Sequence, residues 1–174
     1  MLLLVFFRAA DNWKRFGPAD ESLRLGMEEA LYLSSELGVL QIFSSDGHQK
    51  FDPNTVWKKF YHRYGSQFMR RYVVYRFFRQ QGWVVRSGLQ YGADFILYCD
   101  GPEYHHSSAA VRVVPSSDVL GFAALNRELN NMKKTLIEVS VNVPQDCDIR
   151  CLDCVRWITV SLASSFLWKT SANR

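Results

Sequence analysis

An α+β fold is predicted, with a small N-terminal α/β subdomain over residues 1–66 followed by a mixed-sheet domain over 67–174. Three observations predict it. Apolar stripes of helical period occupy residues 26–38 and 53–81; from Gly82 the pattern changes to short β-rich runs separated by turn residues; and one more helical stripe interrupts those runs over roughly 118–132. The 174 residues are 48% hydrophobic and 14% aromatic, enough to bury a core in one domain or two small ones.

Taken in order, "MLLLVFF" is apolar for only seven residues before Arg8, far short of the roughly 20 a membrane helix needs, and reads as a short buried strand or the cut end of a longer chain. "GMEEALYLSSELG" puts Met27, Ala30, Leu31 and Ser34 on one stripe, with Gly38 as the stop. "VLQIF" reads as a strand and "SSDGHQKFDPNT" as turn-forming. Asp52 or Asn54 can cap a helix with Trp57, Phe60, Tyr61 and Tyr64 on one face, ended by Gly65, after which Ser66 begins a third helix. That helix, "QFMRRYVVYRFFRQQG", is aromatic on nearly every side and interleaved with arginine, so it belongs between packed units. "WVVRS", "DFILYC" and "HSSAAVRVV" are strands of a sheet. Ser117 can cap a helix from Asp118 to Met132, "TLIEVSV" alternates as a further strand, and a last strand falls within "IRCLDCVRWITVSL".

Charge is unevenly spread. The formal net charge is only +4, but no acidic residue lies between Asp52 and Asp94, where Lys58, Lys59, Arg63, Arg70, Arg71, Arg76, Arg79 and Arg86 all fall. Such a block makes a local positive field suited to polyanions such as RNA, unless the cations are merely the solvated faces of core helices. Cys147, Cys151 and Cys154 crowd together instead of spreading as a disulfide framework, which points to a reducing compartment. Their C-x3-C-x2-C spacing is also that of iron–sulfur ligands, but only twenty residues follow it, and buried thiols beside a strand are the simpler reading. His105 and His106, as strand neighbours, would point to opposite faces and could not share one metal ion.

Acid/base chemistry needs no metal. A tyrosine, a histidine and a lysine can together supply a base, an acid and a fixed cation. An unperturbed tyrosine, with a pKa near ~10, is a poor base at neutral pH unless an ammonium stabilises its phenolate, whereas histidine near ~6.5 is suited to hand over a proton. A lysine beside both would also stabilise the added charge of a pentacoordinate phosphate.

"YRFFRQQGWVVRSGLQYGADFILYCDGPEYHHSSAAVRV" and the later "MKKTLIEV" resemble the catalytic core of the tRNA-splicing endonuclease (tRNA-intron lyase) family, over about Arg70 to Val141. "MEEALYLSSELGVLQIF" and "VWKKFYHRYG" look like its N-terminal subdomain. The resemblance implies a restriction-endonuclease-like catalytic domain and a catalytic triad: Tyr98 as general base on a ribose 2′-hydroxyl, His106 as acid to the leaving 5′-oxygen, and Lys134 as transition-state stabiliser. His105 and Lys133 are the flanking alternatives. The products implied are a 2′,3′-cyclic phosphate and a 5′-hydroxyl, made without a cofactor or metal. "CDGPEYHHSS" looks like the loop of the eukaryotic catalytic subunit assigned to the 5′ splice site. That type clamps an intron base for its partner with an arginine and a tryptophan, which here match Arg127 and Trp157. Two catalytic and two structural subunits, a precursor tRNA substrate and a nuclear location are implied with it. Arg79 and Arg86 are the expected RNA contacts of the basic block. A non-catalytic scaffold of the same complex is the alternative, disfavoured because all three triad positions are filled.

Overall fold

The computed structural model describes residues 25–44, 46–104, 106–114, 125–129, 131–132 and 134–165. The apolar opening, the first part of the helix expected over 118–132, His105 and Lys133 lie outside these residues. Among those described, the chain up to Met69 together with Gln145–Trp157 forms one compact unit, and Arg70–Pro144 with the residues from Ile158 onward forms a second. The expected boundary at 66/67 lies close to this division at Met69/Arg70, and the short segment 145–157 belongs with the first unit.

In the first unit, helix α1 (Met27–Ser35) buries Ala30 and Leu31, as its stripe predicts, but Glu28 and Tyr32 in place of Met27 and Ser34. The buried face is thus rotated toward a turn-spaced polar pair. Gly38, at φ 65°, releases the chain into strand β1 (Ile42–Phe43). The segment read as a turn also holds a second strand, β2 (Lys50–Phe51), antiparallel to β1 with Ile42 opposite Phe51. Two-residue strands are too short to leave a periodic signature, which is why β2 is silent in the sequence.

Helix α2 (Pro53–Gln80) is capped by Asp52. One carboxylate oxygen accepts from the Thr55 amide at 3.0 Å and the other from the Thr55 hydroxyl, and these bonds hold the Asp52 carboxyl below the usual carboxylate range. Asn54 does a different job: its side-chain oxygen accepts from the Leu152 amide at 2.9 Å. Gly65, at φ 62° and ψ −149°, breaks α2, a conformation that side chains other than hydrogen resist. Before the break Trp57 is fully buried, 5.5 Å from Phe68 between ring centroids, and its indole N–H donates to the Ile149 carbonyl at 3.0 Å. Phe60 meets Phe68 edge-on at 5.1 Å. The segment 145–157 is thereby tied to α2, and its single 3₁₀ turn, Leu152–Arg156, buries Cys154 and Val155.

The second unit is built on a five-stranded sheet in the order β3 (Val84–Ser87), β4 (Phe95–Tyr98), β5 (Ala109–Val113), β6 (Thr135–Asn142) and β7 (Thr159–Ser165). All neighbours are antiparallel except β5 and β6, which run parallel. A parallel pair needs a crossover, and the chain between them contains helical residues 125–129. Phe95 and Leu97 are buried on one face, where Tyr75 of α2 meets Phe95 at 5.9 Å; Ile96 is buried on the other, in a cluster with Ala93, Ala110, Leu129 and Leu136. Burial on both faces explains why "FILY" is uninterruptedly apolar.

Candidate active site

Register brings the proposed triad to one end of this sheet. Leu97 of β4 stands opposite Ala109 of β5, and Ala109 opposite Thr135 of β6. Because β4 runs antiparallel to β5 and β5 parallel to β6, the end of β4 and the starts of β5 and β6 share one edge. Tyr98 is the last residue of β4, Lys134 immediately precedes β6, and His106 lies three residues before β5. The Ser108 amide donates to the Leu97 carbonyl at 2.8 Å, fastening the His106 loop to the end of β4.

Each side chain has its own support. Tyr98 follows Ile96 on one strand face and packs, half-buried, on the Ile96–Ala110–Leu129–Leu136 cluster. Lys134 is half-buried; its ammonium donates to the Ser107 hydroxyl, lies 3.4 Å from the Ser107 carbonyl oxygen, and sits 5.5 Å from the centroid of the Tyr91 ring. His106 is exposed, open to a substrate. It sits in a loop and not on a strand, so the face-alternation that would separate it from His105 does not apply; β5 starts only at Ala109. The loop is one in which a turn over residues 102–104 intervenes, and Gly101, at φ 121°, permits the bend.

Ser107 and Tyr91 are the residues that sequence reasoning passes over. Ser107 is only 9% exposed, and its neighbour His106 carries all the chemical interest of the motif. Tyr91 ends a 3₁₀ turn, Leu89–Tyr91, that starts from Gly88. A Cβ on Gly88 would lie 2.8 Å from the Ala93 carbonyl oxygen and 2.9 Å from the Phe95 backbone, so the turn closes only over glycine. Asp94 then accepts from Arg71 through one oxygen and from the Val113 amide at 2.8 Å through the other, pinning the start of β4 to the end of β5. The guanidinium of Arg71 also lies 4.7 Å from the Phe95 ring centroid.

The remaining expected residues lie elsewhere. Arg86 is exposed on β3, and Arg79 donates from a half-buried position to the Trp83 carbonyl at 3.3 Å, closing the end of α2. Arg127 is exposed in the second unit; Trp157 is 70% exposed at the end of the first. The three clustered cysteines are free thiols in a loop and a 3₁₀ turn, and only Cys154 is buried, with its thiol pushed up to about 12 by burial and by its neighbour Cys147. Among the described residues no three His, Cys, Asp or Glu side chains are placed to hold a metal ion, and no helix is long and apolar enough to cross a membrane.

Residues 68–151 match the family model of the tRNA intron endonuclease catalytic C-terminal domain. The chain is also 35% identical over 141 residues to the tRNA-splicing endonuclease of Hyperthermus butylicus, an alignment covering 79% of this chain and 75% of that protein. The chain belongs to the tRNA-splicing endonuclease family. It is 33% identical over 177 residues to the "Probable tRNA-splicing endonuclease subunit Sen2" of Oryza sativa subsp. japonica, covering 90% of this chain and 59% of that one. To the tRNA-splicing endonuclease subunit Sen2 of Rattus norvegicus it is 31% identical over 171 residues, covering 88% and 36%. It thus spans less than two thirds of the length of these Sen2 relatives. The matched family segment begins in α2 and includes Tyr98, His106 and Lys134, so the sheet end described above lies within it.

Proposed function

We propose that this chain is a catalytic subunit of a tRNA-splicing endonuclease, cutting precursor tRNA at an intron boundary, the 5′ splice site, in an assembly with other catalytic and structural subunits in the nucleus. The observation that carries this reading is the register that gathers Tyr98, the His106 loop and Lys134 at one sheet end. In the proposed reaction Tyr98 takes the proton of the ribose 2′-hydroxyl, and the 2′-oxygen attacks the adjacent phosphorus. His106 gives a proton to the departing 5′-oxygen. Lys134, its ammonium fixed by Ser107, neutralises charge on the pentacoordinate phosphate. The phosphorus–5′-oxygen bond breaks as the phosphorus–2′-oxygen bond forms, leaving a 2′,3′-cyclic phosphate and a 5′-hydroxyl. DNA, lacking the 2′-hydroxyl, would bind without being cut.

Arg86, exposed on β3, is the proposed phosphate contact of the second unit, while Arg79 donates to the Trp83 carbonyl at the end of α2. Arg127 and Trp157 are both exposed, and we assign them contacts to intron RNA that serve the partner catalytic subunit. The test is cleavage of an intron-containing precursor by the reconstituted enzyme in excess chelator, with end-group analysis of the products. Cyclic phosphate and 5′-hydroxyl ends support the reading; a requirement for added metal, or 3′-hydroxyl ends, refutes it.

A further inference from the structure

We propose a second RNA-binding site, wholly within the first unit, that holds a phosphodiester segment of the substrate in a cleft between α2 and the segment 145–152. It rests on the reading of precursor tRNA as substrate, and it uses none of the residues assigned above. The cleft has a volume of about 750 Å³ and is lined by Lys58, Tyr61, His62, Asp148, Arg150 and Cys151. That is the size range of small-ligand sites, ample for a nucleotide.

Its construction is specific. Lys58, Tyr61 and His62 are spaced to share one helical face of α2. Arg150 and Cys151 come from the opposite wall, which is fastened in place by the bonds from Trp57 to Ile149 and from Leu152 to Asn54. The wall is therefore held by one part-buried anchor, from Trp57, and one exposed anchor, at Asn54. One face of the Tyr61 ring is stacked on Trp57 at 6.4 Å and 15° between planes, which fixes the ring and leaves it half-exposed toward the cleft. The charges are unmatched. Lys58 and Arg150 are exposed and make no ion pair among the described residues, and the one carboxylate lining the cleft, Asp148, which accepts from the Arg150 backbone amide at 3.0 Å, offsets only one of these two positive charges. Two side-chain cations lining the same cleft as a stacked aromatic ring suit a strand whose phosphates meet the cations while a base stacks on tyrosine. A free anion would need only the cations; a strand uses the ring as well.

The test uses the full chain carrying His106→Ala, so that bound RNA is not cut, and a labelled intron-containing precursor tRNA titrated at 50 to 250 mM KCl as approximate limits. Lys58→Glu with Arg150→Glu is expected to weaken binding at least tenfold near 0.1 M salt and to flatten the dependence of log affinity on log salt by about 1.5, the loss of two phosphate contacts. Tyr61→Leu is expected to cost about tenfold without changing the slope. Lys50→Glu, an exposed lysine of β2 outside the cleft, serves as the control and should leave both unchanged. Thermal unfolding of each variant verifies that it is folded. Affinity and slope equal to those of the parent in the folded charge-reversed variant would overturn the proposal. If Tyr61→Leu alone is silent and inorganic phosphate displaces the RNA from the cleft, the site is for free anions and the RNA assignment fails. Failure here leaves the cutting reaction of the unmodified chain as a separate result, whereas a chain that neither cuts nor binds precursor removes the functional reading itself.

Discussion

At the residue scale the central assignment is His106, and the loop around it explains why sequence alone leaves His105 beside it. Strand alternation would separate the two, but the pair precedes β5 and no such rule operates there. Replacing His106 with alanine should lower the cleavage rate by about 10²–10⁴-fold, the range for loss of a general acid, with precursor binding retained; rapid-mixing single-turnover cleavage and a gel-shift titration measure the two. Tyr98 and Lys134 are named by the family resemblance; what the β pattern itself makes legible is only that they border β4 and β6. Ser107 was not legible, because what gives it a role is a bond to a lysine 27 positions away. Ser107→Ala should leave the ammonium with the weaker carbonyl contact and the Tyr91 ring and lower the rate about tenfold, while Ser107→Thr, which keeps the hydroxyl, should recover most of it. Equal activity of all three would remove Ser107 from the account. Among the thiols, Cys154 is held protonated far above neutral pH and Cys99 is exposed, so iodoacetamide at pH 8 should label Cys99 and spare Cys154, as peptide mass spectrometry would reveal.

The elements owe their placement to a few short-range devices, some of them legible. Gly65 ends one helical stripe in the sequence and breaks α2 in the structure; the β runs from Gly82 become β3, β4 and β5; "TLIEVSV" becomes β6. Features too short for a period leave no such trace, namely β2 and the 3₁₀ turns Leu89–Tyr91 and Leu152–Arg156. One of these turns matters for the site. Gly88→Ala would push a Cβ onto the backbone of Ala93 and Phe95, which cannot swing aside as a side-chain end can. It should cost about 1–3 kcal/mol of stability and slow cleavage further by displacing Tyr91 from Lys134, outcomes read by urea unfolding and by activity of the folded fraction. The cap of α2 gives a pH-dependent prediction. The folded-state pKa of Asp52 lies below its unfolded value, so its contribution is present above the usual carboxylate range and is lost as the pH falls through the lower, folded value. Asp52→Ala should therefore lower the thermal midpoint at neutral pH, and the gap from the parent should close in strong acid.

For the whole molecule, the sequence suggested two consecutive subdomains, while packing returns residues 145–157 to the first unit. That return is made by Trp57 and Ile149, 92 positions apart, a contact with no local signature. Trp57→Phe keeps the ring in the core but removes the donor, and amide exchange over 149–152 should quicken while the sheet stays protected. The basic block read from composition also divides: Arg71 is committed to Asp94, Arg79 to the end of α2, and Lys58, Arg63 and Arg86 are exposed. Charge counts alone could not make that division, because commitment depends on tertiary neighbours. Substituting both Arg127 and Trp157 with alanine should impair cutting at the partner subunit's splice site more than at this subunit's own, measured by quantifying the two half-cut intermediates.

The most direct test of the proposed mechanism replaces the leaving 5′-oxygen at the cut phosphate with sulfur, since a thiolate departs without needing a proton. With this substrate His106→Ala should regain most of the wild-type rate, while Tyr98→Phe and Lys134→Ala remain slow. A His106→Ala enzyme that stays as slow on the sulfur substrate as on the normal one would contradict the assignment of His106 as the acid.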